Sequence, residues 1–259
     1  MIPYYHSPTF QLGPFTLAPF GFLAAAGIYV AARITVKRAA EDGHDSSVLA
    51  DYAFWGVASG VLLGHWVHLF FYHPEELSKG PLQIFKVWDG LSSFGGLLGG
   101  ILAALVFFHL RKVRFRDYAD AFALGVAPGW GIARLGCFVA HDHPGLRTDD
   151  FPLAVAFPGG ARHDLGLYDA ILLFGIAAVL LLLRRRRLLV GKLLPLLAIL
   201  YGIGRFFLDF LRAQDLAYVD ARYAGLTPAQ YACMLLLVYG LVGLAGFGVN
   251  AGPRVAAER

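Results

Sequence analysis

Gly131-Ile132-Ala133-Arg134-Leu135-Gly136-Cys137-Phe138-Val139-Ala140-His141-Asp142-His143 begins inside a long apolar segment and ends in a polar stretch. Arg134 stands about six residues before the apolar run stops. An arginine at that depth in hydrocarbon costs roughly 2.5–3.5 kcal/mol on insertion scales. A chain retains such a charge where it has a partner or a ligand. The stretch therefore reads as a membrane span that carries a working cation.

The surrounding chain agrees. Its 259 residues are 58% hydrophobic and 15% charged, with a mean hydropathy of +0.59. A soluble domain of this length is more polar. Several apolar runs approach or exceed the ~20 residues that cross a bilayer as helix, and lipid-exposed backbone must satisfy its hydrogen bonds internally. The expected fold is all-α, a polytopic integral membrane protein with about seven transmembrane helices. The spans are expected at about 16–34, 49–72, 91–110, 118–140, 167–183, 188–210 and 228–249. No internal repeat, second domain or disordered linker interrupts them, so residues 1–259 read as one domain. The pI of about 9.1 does not point to nucleic acid, because the basic residues cluster beside apolar spans. Cys137 and Cys233 imply no disulfide framework. No basic region precedes the first apolar stretch, so no cleaved signal peptide is expected.

Charge sets orientation. The connections after spans one, three, five and seven hold 14 of the 22 Lys/Arg residues, among them Arg184 to Arg187. The positive-inside rule puts the N-terminus outside and the C-terminus in the cytoplasm. At 1.5 Å rise per residue, Arg134, Arg205, His65 and His68 then lie within roughly 12 Å of the outer ends of their spans. Phe94 and Tyr168 sit at the outer starts of theirs. One site opening toward the external leaflet follows. The pairs Gly60/Gly64, Gly95/Gly99, Gly96/Gly100 and Gly125/Gly129 let helix backbones approach closely.

Two faces carry the chemistry. Arg134, Cys137 and His141 share one helical face, and Arg205, Asp209 and Arg212 share another. Arg205 with Asp209 can be a structural ion pair. Two arginines at one depth also make an anion clamp, because the guanidinium fork matches phosphate bidentately and stays charged. The abundant anion at that depth is a phospholipid headgroup. His65 and His68, three residues apart, and the His141-Asp142-His143 cluster offer bases near neutral pH. No familiar metal spacing is present, and neither a metal nor a cofactor is expected. Cys137, a thiol in apolar surroundings, is expected to be inert. The segment Ser92–Gly100 lacks a Walker lysine, which excludes nucleotide binding.

The combination resembles the prolipoprotein diacylglyceryl transferase family. Val87-Trp88-Asp89-Gly90 followed by Ser93-Phe94-Gly95-Gly96-Leu97-Leu98-Gly99 is similar to its glycine-rich segment. Arg134-Leu135-Gly136-Cys137-Phe138 resembles its signature arginine motif, and Tyr168-Asp169-Ala170 its Leu-Tyr-Glu-Ala. Tyr201-Gly202 with Arg205-Phe206-Phe207-Leu208-Asp209-Phe210 and Arg212 resembles its second arginine motif. The resemblance implies a multi-pass enzyme of the bacterial inner membrane. It would move the diacylglyceryl group of phosphatidylglycerol to the lipobox cysteine of a preprolipoprotein signal peptide. A thioether forms and glycerol phosphate leaves. Arg134 and Arg205 would bind the donor phosphate. Asp209, Arg212, Gly95, Gly96, Tyr168 and His68 would line the substrates, with membrane lipids around them.

Four positions depart from the family pattern. Phe94 stands where the family has a histidine before its paired glycines, Phe20 where it has a tyrosine, Cys137 where it has an asparagine, and His65 where it has an arginine. Three readings remain: His65, His68 or His141 supplies the base, no histidine base is needed, or the chain is a relative with altered chemistry. That relative would bind or transport an anionic phospholipid, or use another acceptor. A transporter should show polar groups through both membrane halves and often repeats, and neither is seen.

Overall fold

The computed structural model describes residues 1–12, 15–216 and 221–246. The last residues of the expected seventh span and the basic pair Arg254 and Arg259 lie outside them. The described helices are α1 (Pro19–Glu41), α2 (Ser46–Val67), α3 (Ser93–Leu110), α4 (Phe115–Ala140), α5 (Leu165–Arg185), α6 (Leu193–Leu208) and α7 (Pro228–Leu244). Five of them are long and apolar enough to cross a membrane: α1, α2 with its continuation to Tyr72, α4, α5, and α6 with its continuation to Leu211. α3 and α7 are shorter apolar helices.

Side-chain caps set several starts. A carboxylate or hydroxyl at the N-cap accepts one of the backbone N–H groups the first helical turn leaves unpaired. Asp45 accepts from Ser47 N–H, Ser92 from Gly95 N–H, and Asp164 from Leu167 N–H. Thr227 and Gln230 form a reciprocal capping box on α7. The sixth helix begins later than the expected Leu188. Asp120 of α4 explains this, because its carboxylate accepts from Gly191 N–H at 2.5 Å and Leu193 N–H at 2.8 Å. That fixes a turn before the helix can propagate.

Two stretches expected to be span or loop are strands. β2 (Phe10–Leu12) and β3 (Phe15–Leu17) pair antiparallel just before α1. The polar stretch after α4 folds into β4 (Pro144–Arg147), β5 (Val155–Phe157) and β6 (Gly160–Asp164). With β1 (Ile2–Pro3) they form a sheet of order β1-β5-β6-β4, in which β1 runs parallel to β5.

The chain divides into two compact units, Met1–Thr35 with Ala119–Arg259, and Val36–Tyr118. The first holds a core of Ala123, Leu124, Ala127, Leu173, Ile176, Leu180, Leu193, Leu197 and Tyr201. α1 meets α4 at backbone distance within it. A Cβ on Gly129 would strike the Gly27 carbonyl oxygen and the Ala31 side chain, so only glycine lets the helices touch there. The second unit is built on α2 against α3. Its Gly90 has φ +88° and the His68 ring lies where a Cβ would project, so backbone and space both require glycine.

Candidate functional site: a buried guanidinium cluster

Within the first unit, α4, α5 and α6 bring their charged residues to one place. Arg134 Nε lies 2.8 Å from Asp169 Oδ2, and Arg205 Nε lies 3.9 Å from the same oxygen. The Arg134 contact is an ion pair whose N–H points off the oxygen, since Arg134 Nε makes no hydrogen bond among the described residues. The Tyr201 hydroxyl donates to Asp169 Oδ2 at 3.4 Å. Arg205 Nη2 pairs with Asp209 Oδ1 at 2.8 Å, and Arg212 Nε approaches that oxygen at 3.1 Å. Thr227 Oγ1 donates to Asp209 Oδ2, which ties the α7 cap to the cluster.

The local sequence explains the convergence. Arg205 and Asp209 are one helical turn apart, and Arg212 follows the 3-10 turn Asp209–Leu211 that ends the helix. Asp169 lies one residue beyond Tyr168 in the first turns of α5. α5 can approach α4 closely because a Cβ on Gly166 would strike Phe138 N and the Cys137 carbonyl carbon.

Charge balance defines what the cluster can hold. Three guanidiniums face two carboxylates, leaving one positive charge. The Asp169 side chain is 2% exposed and that of Asp209 0%. Arg205 Nη1 is buried and has no hydrogen-bond partner among the described residues. A buried polar atom in that state calls for a ligand or a function. The surplus charge and the spare donor fit one monoanion with acceptor oxygens, such as a phosphodiester.

A second constellation stands beside the first. His141 ends α4 at φ +53°. Its N–H donates to Phe138 O at 3.1 Å, and Asp142 N–H donates to Cys137 O at 3.4 Å. This is the helix-ending geometry that usually takes glycine, and a side chain there costs about 1–2 kcal/mol. The His141 side chain is 4% exposed. Its Nδ1 faces Asp164 Oδ2 at 3.4 Å, while Nε2 is buried with no hydrogen-bond partner among the described residues. Burial pushes the Asp164 carboxyl up, and hydrogen bonds from Leu167 N–H and His141 draw it back. Rings of Tyr4, Tyr5, Phe138 and Phe157 surround the imidazole. The Tyr168 hydroxyl is engaged nearby in sequence by His163 Nδ1 at 2.9 Å and by Leu153 O.

Cys137, Asp142 and His143 place ligand-type atoms within 4.8 Å of one another. Arg134 Nη1 already lies 3.2 Å from Cys137 Sγ and 3.5 Å from His143 Nε2, and His143 Nδ1 pairs with Asp142. The trio seats a guanidinium, and a metal cation there would face its charge at short range.

The remaining expected site residues belong to the second unit. His65 is buried, with Nδ1 3.1 Å from Gly90 O and Nε2 2.8 Å from Gln83 O. It ties α2 to the loop that leads into α3. His68 packs its ring against His73. Gly95 meets Leu63 O and Val67, and Gly96 faces Gly60 O. In the sequence Asp169, the hub of the cluster, stands out only within Tyr168-Asp169-Ala170, with no role of its own, and Asp164 does not stand out at all. An acid inside an apolar run, one residue after Tyr168, was the available signal for Asp169. Asp164 lies outside the spans and carried none.

These features define a class: a multi-pass membrane protein that buries a net-positive cluster among its helices. A family model described as prolipoprotein diacylglyceryl transferase matches residues 8–245. A phosphatidylglycerol–prolipoprotein diacylglyceryl transferase of Chromohalobacter salexigens is 33% identical over 239 residues, covering 90% of this chain and 88% of its own. The enzyme of that name from Oleidesulfovibrio alaskensis is 34% identical over 270 residues, covering 99% and 98%. That of Pasteurella multocida is 33% identical over 220 residues, covering 82% and 81%. The chain belongs to the prolipoprotein diacylglyceryl transferase family.

Proposed function

We propose that this protein transfers the diacylglyceryl group of phosphatidylglycerol to the lipobox cysteine thiol of preprolipoproteins, the first step of lipoprotein maturation. One observation carries the reading. Arg134 and Arg205, distant in sequence, flank a single buried carboxylate, and the cluster keeps one unbalanced positive charge. The donor phosphate carries one negative charge. The thiolate sulfur attacks the glyceryl carbon, the C–O bond to phosphate breaks, and its electron pair leaves with glycerol phosphate. Charge therefore grows on the phosphate in the transition state, where fixed guanidiniums stabilise it. Asp169 holds the two arginines in place until lipid arrives.

In this reading residues 1–259 act as one transferase domain in the bacterial inner membrane. Seven spans run with the N-terminus periplasmic and the C-terminus cytoplasmic, as the Lys/Arg asymmetry supports. The clamp then faces the outer leaflet, where lipid enters sideways. Arg134 and Arg205 are the catalytic cations, with Asp209 and Arg212 setting the pose of Arg205. Tyr168 lines substrate, and a histidine takes the thiol proton. The test is to supply phosphatidylglycerol and a lipobox peptide to the purified chain and weigh the peptide. A thioether-linked diacylglyceryl adduct that disappears with Arg134→Ala or Arg205→Ala is expected. A wild-type protein that makes no adduct defeats the reading.

A further inference from the structure

His141 occupies a backbone position that glycine fills at less cost, yet its imidazole is buried and aligned. Nδ1 is oriented by the Asp164 carboxylate at 3.4 Å, and Nε2 is a buried polar atom with no partner among the described residues. An imidazole held through one nitrogen by an acid, with the other nitrogen left for a ligand, is the arrangement of a general base. A structural histidine would use both nitrogens, as His65 does on Gly90 O and Gln83 O. His68 feels the charges of Glu76 and Asp89 but makes no hydrogen bond to a carboxylate among the described residues, and its ring packs on His73.

The surroundings point to the ligand. The imidazole is enclosed by rings of Tyr4, Tyr5, Phe138 and Phe157, with centroids 4.8 to 5.7 Å from its own. Such a box excludes water and favours a soft sulfur, which contacts aromatic edges at about 5 Å. Tyr4 and Tyr5 follow β1, which is held to β5 by two paired residues, Ile2 with Val155 and Pro3 with Ala156. A strand so short is a cover that an extended peptide can lift. The titratable groups facing the imidazole are Tyr4 and Tyr5 from this cover and Asp164 from the start of α5.

We infer that His141 and Asp164, beneath the Tyr4–Tyr5 cover, form the subsite that receives the acceptor thiol, with His141 as the base and Asp164 as its positioning residue. This rests on the transferase reading. The acceptor S–H gives its proton to His141 Nε2, and Asp164 steadies the imidazolium. The sulfur keeps its electron pair and forms the S–C bond as the C–O bond breaks. The proton then passes to water or to the released phosphate.

His141→Gly suits the backbone at this position and should fold, and His141→Gln keeps a side chain in the box. Asp164→Asn retains an N-cap acceptor for Leu167. Turnover of phosphatidylglycerol with a lipobox peptide is followed from pH 6 to 9.5 for each variant. At pH 7, kcat should fall about a hundredfold or more for both His141 variants and about tenfold for Asp164→Asn. The KM for phosphatidylglycerol should stay within about threefold of wild type, because the clamp is untouched. The loss should shrink above about pH 8.5, where the free thiol ionises unaided. His141→Gly activity within about threefold of wild type at pH 7, or a loss equal at every pH, overturns the assignment and leaves the transferase reading intact. A wild-type chain without thioether product overturns both.

Discussion

Asp169→Asn tests the cluster where it is most loaded. The carboxylate lies between Arg134 at 2.8 Å and Arg205 at 3.9 Å, takes the Tyr201 hydroxyl at 3.4 Å, and is buried. The amide leaves the guanidiniums without their shared counter-ion and raises the charge of the cluster from one to two. Removing one partner of a buried ion pair costs about 3–5 kcal/mol, so the lipid-free variant should be less stable by that amount. A bound phosphodiester supplies the missing negative charge. The stabilisation by phosphatidylglycerol should therefore be larger in the variant than in wild type, while zwitterionic lipid should stabilise the two equally. Thermal unfolding in detergent micelles, titrated with each lipid, reads both. Equal phosphatidylglycerol increments in wild type and variant would refute the idea that Asp169 holds the place of a lipid phosphate.

Three further outcomes are expected. Thr227→Val removes the donor to Asp209 Oδ2 and the cap of α7, and should cost about 1–3 kcal/mol in unfolding experiments. Gly166→Ala places a Cβ against Phe138 N, spreads α5 from α4, and should lower kcat about 10- to 100-fold through displacement of Asp169 from Arg134. Asp215 takes hydrogen bonds from Arg162 and Arg147, which hold its carboxyl well below the usual range. The unfolded carboxyl titrates near about 4, so this tie is at full strength above that pH and is lost as pH falls through the lower folded value. Protease sensitivity of the segment after Leu211 should be flat from neutral to about pH 4 and rise only below it, and Asp215→Asn should abolish that dependence.

The two arginines of the candidate site could be picked out before any coordinates. Arg134 and Arg205 stood out because charge in an apolar run is costly, and the positive-inside pattern put them at one depth. They do share one carboxylate. Asp169 is visible only as part of a three-residue likeness, because a single acid near a span end has no periodicity that marks it as a hub. The sheet was hidden for a different reason. β4, β5 and β6 have four, three and five residues, too short for alternation to declare itself. β1 pairs with β5 across some 150 residues, and no local pattern announces such a contact. The delayed start of α6 depends on Asp120, a tertiary hydrogen-bond acceptor rather than a feature of its own sequence. The seat of His141 shows the limit most clearly. Its left-handed backbone is a consequence of how α4 terminates, and two of its four enclosing rings, Tyr4 and Tyr5, come from the far N-terminal residues.

The central claim is that Arg134 and Arg205 grip one phosphate together. A double-mutant cycle on kcat/KM for phosphatidylglycerol, using Arg134→Gln, Arg205→Gln and the double variant, tests it most directly. Each single loss should be about 10²–10³-fold, and the double variant should lose far less than the product of the two, because the groups act as a unit. Single losses that multiply in the double variant would show two independent cations and contradict the account.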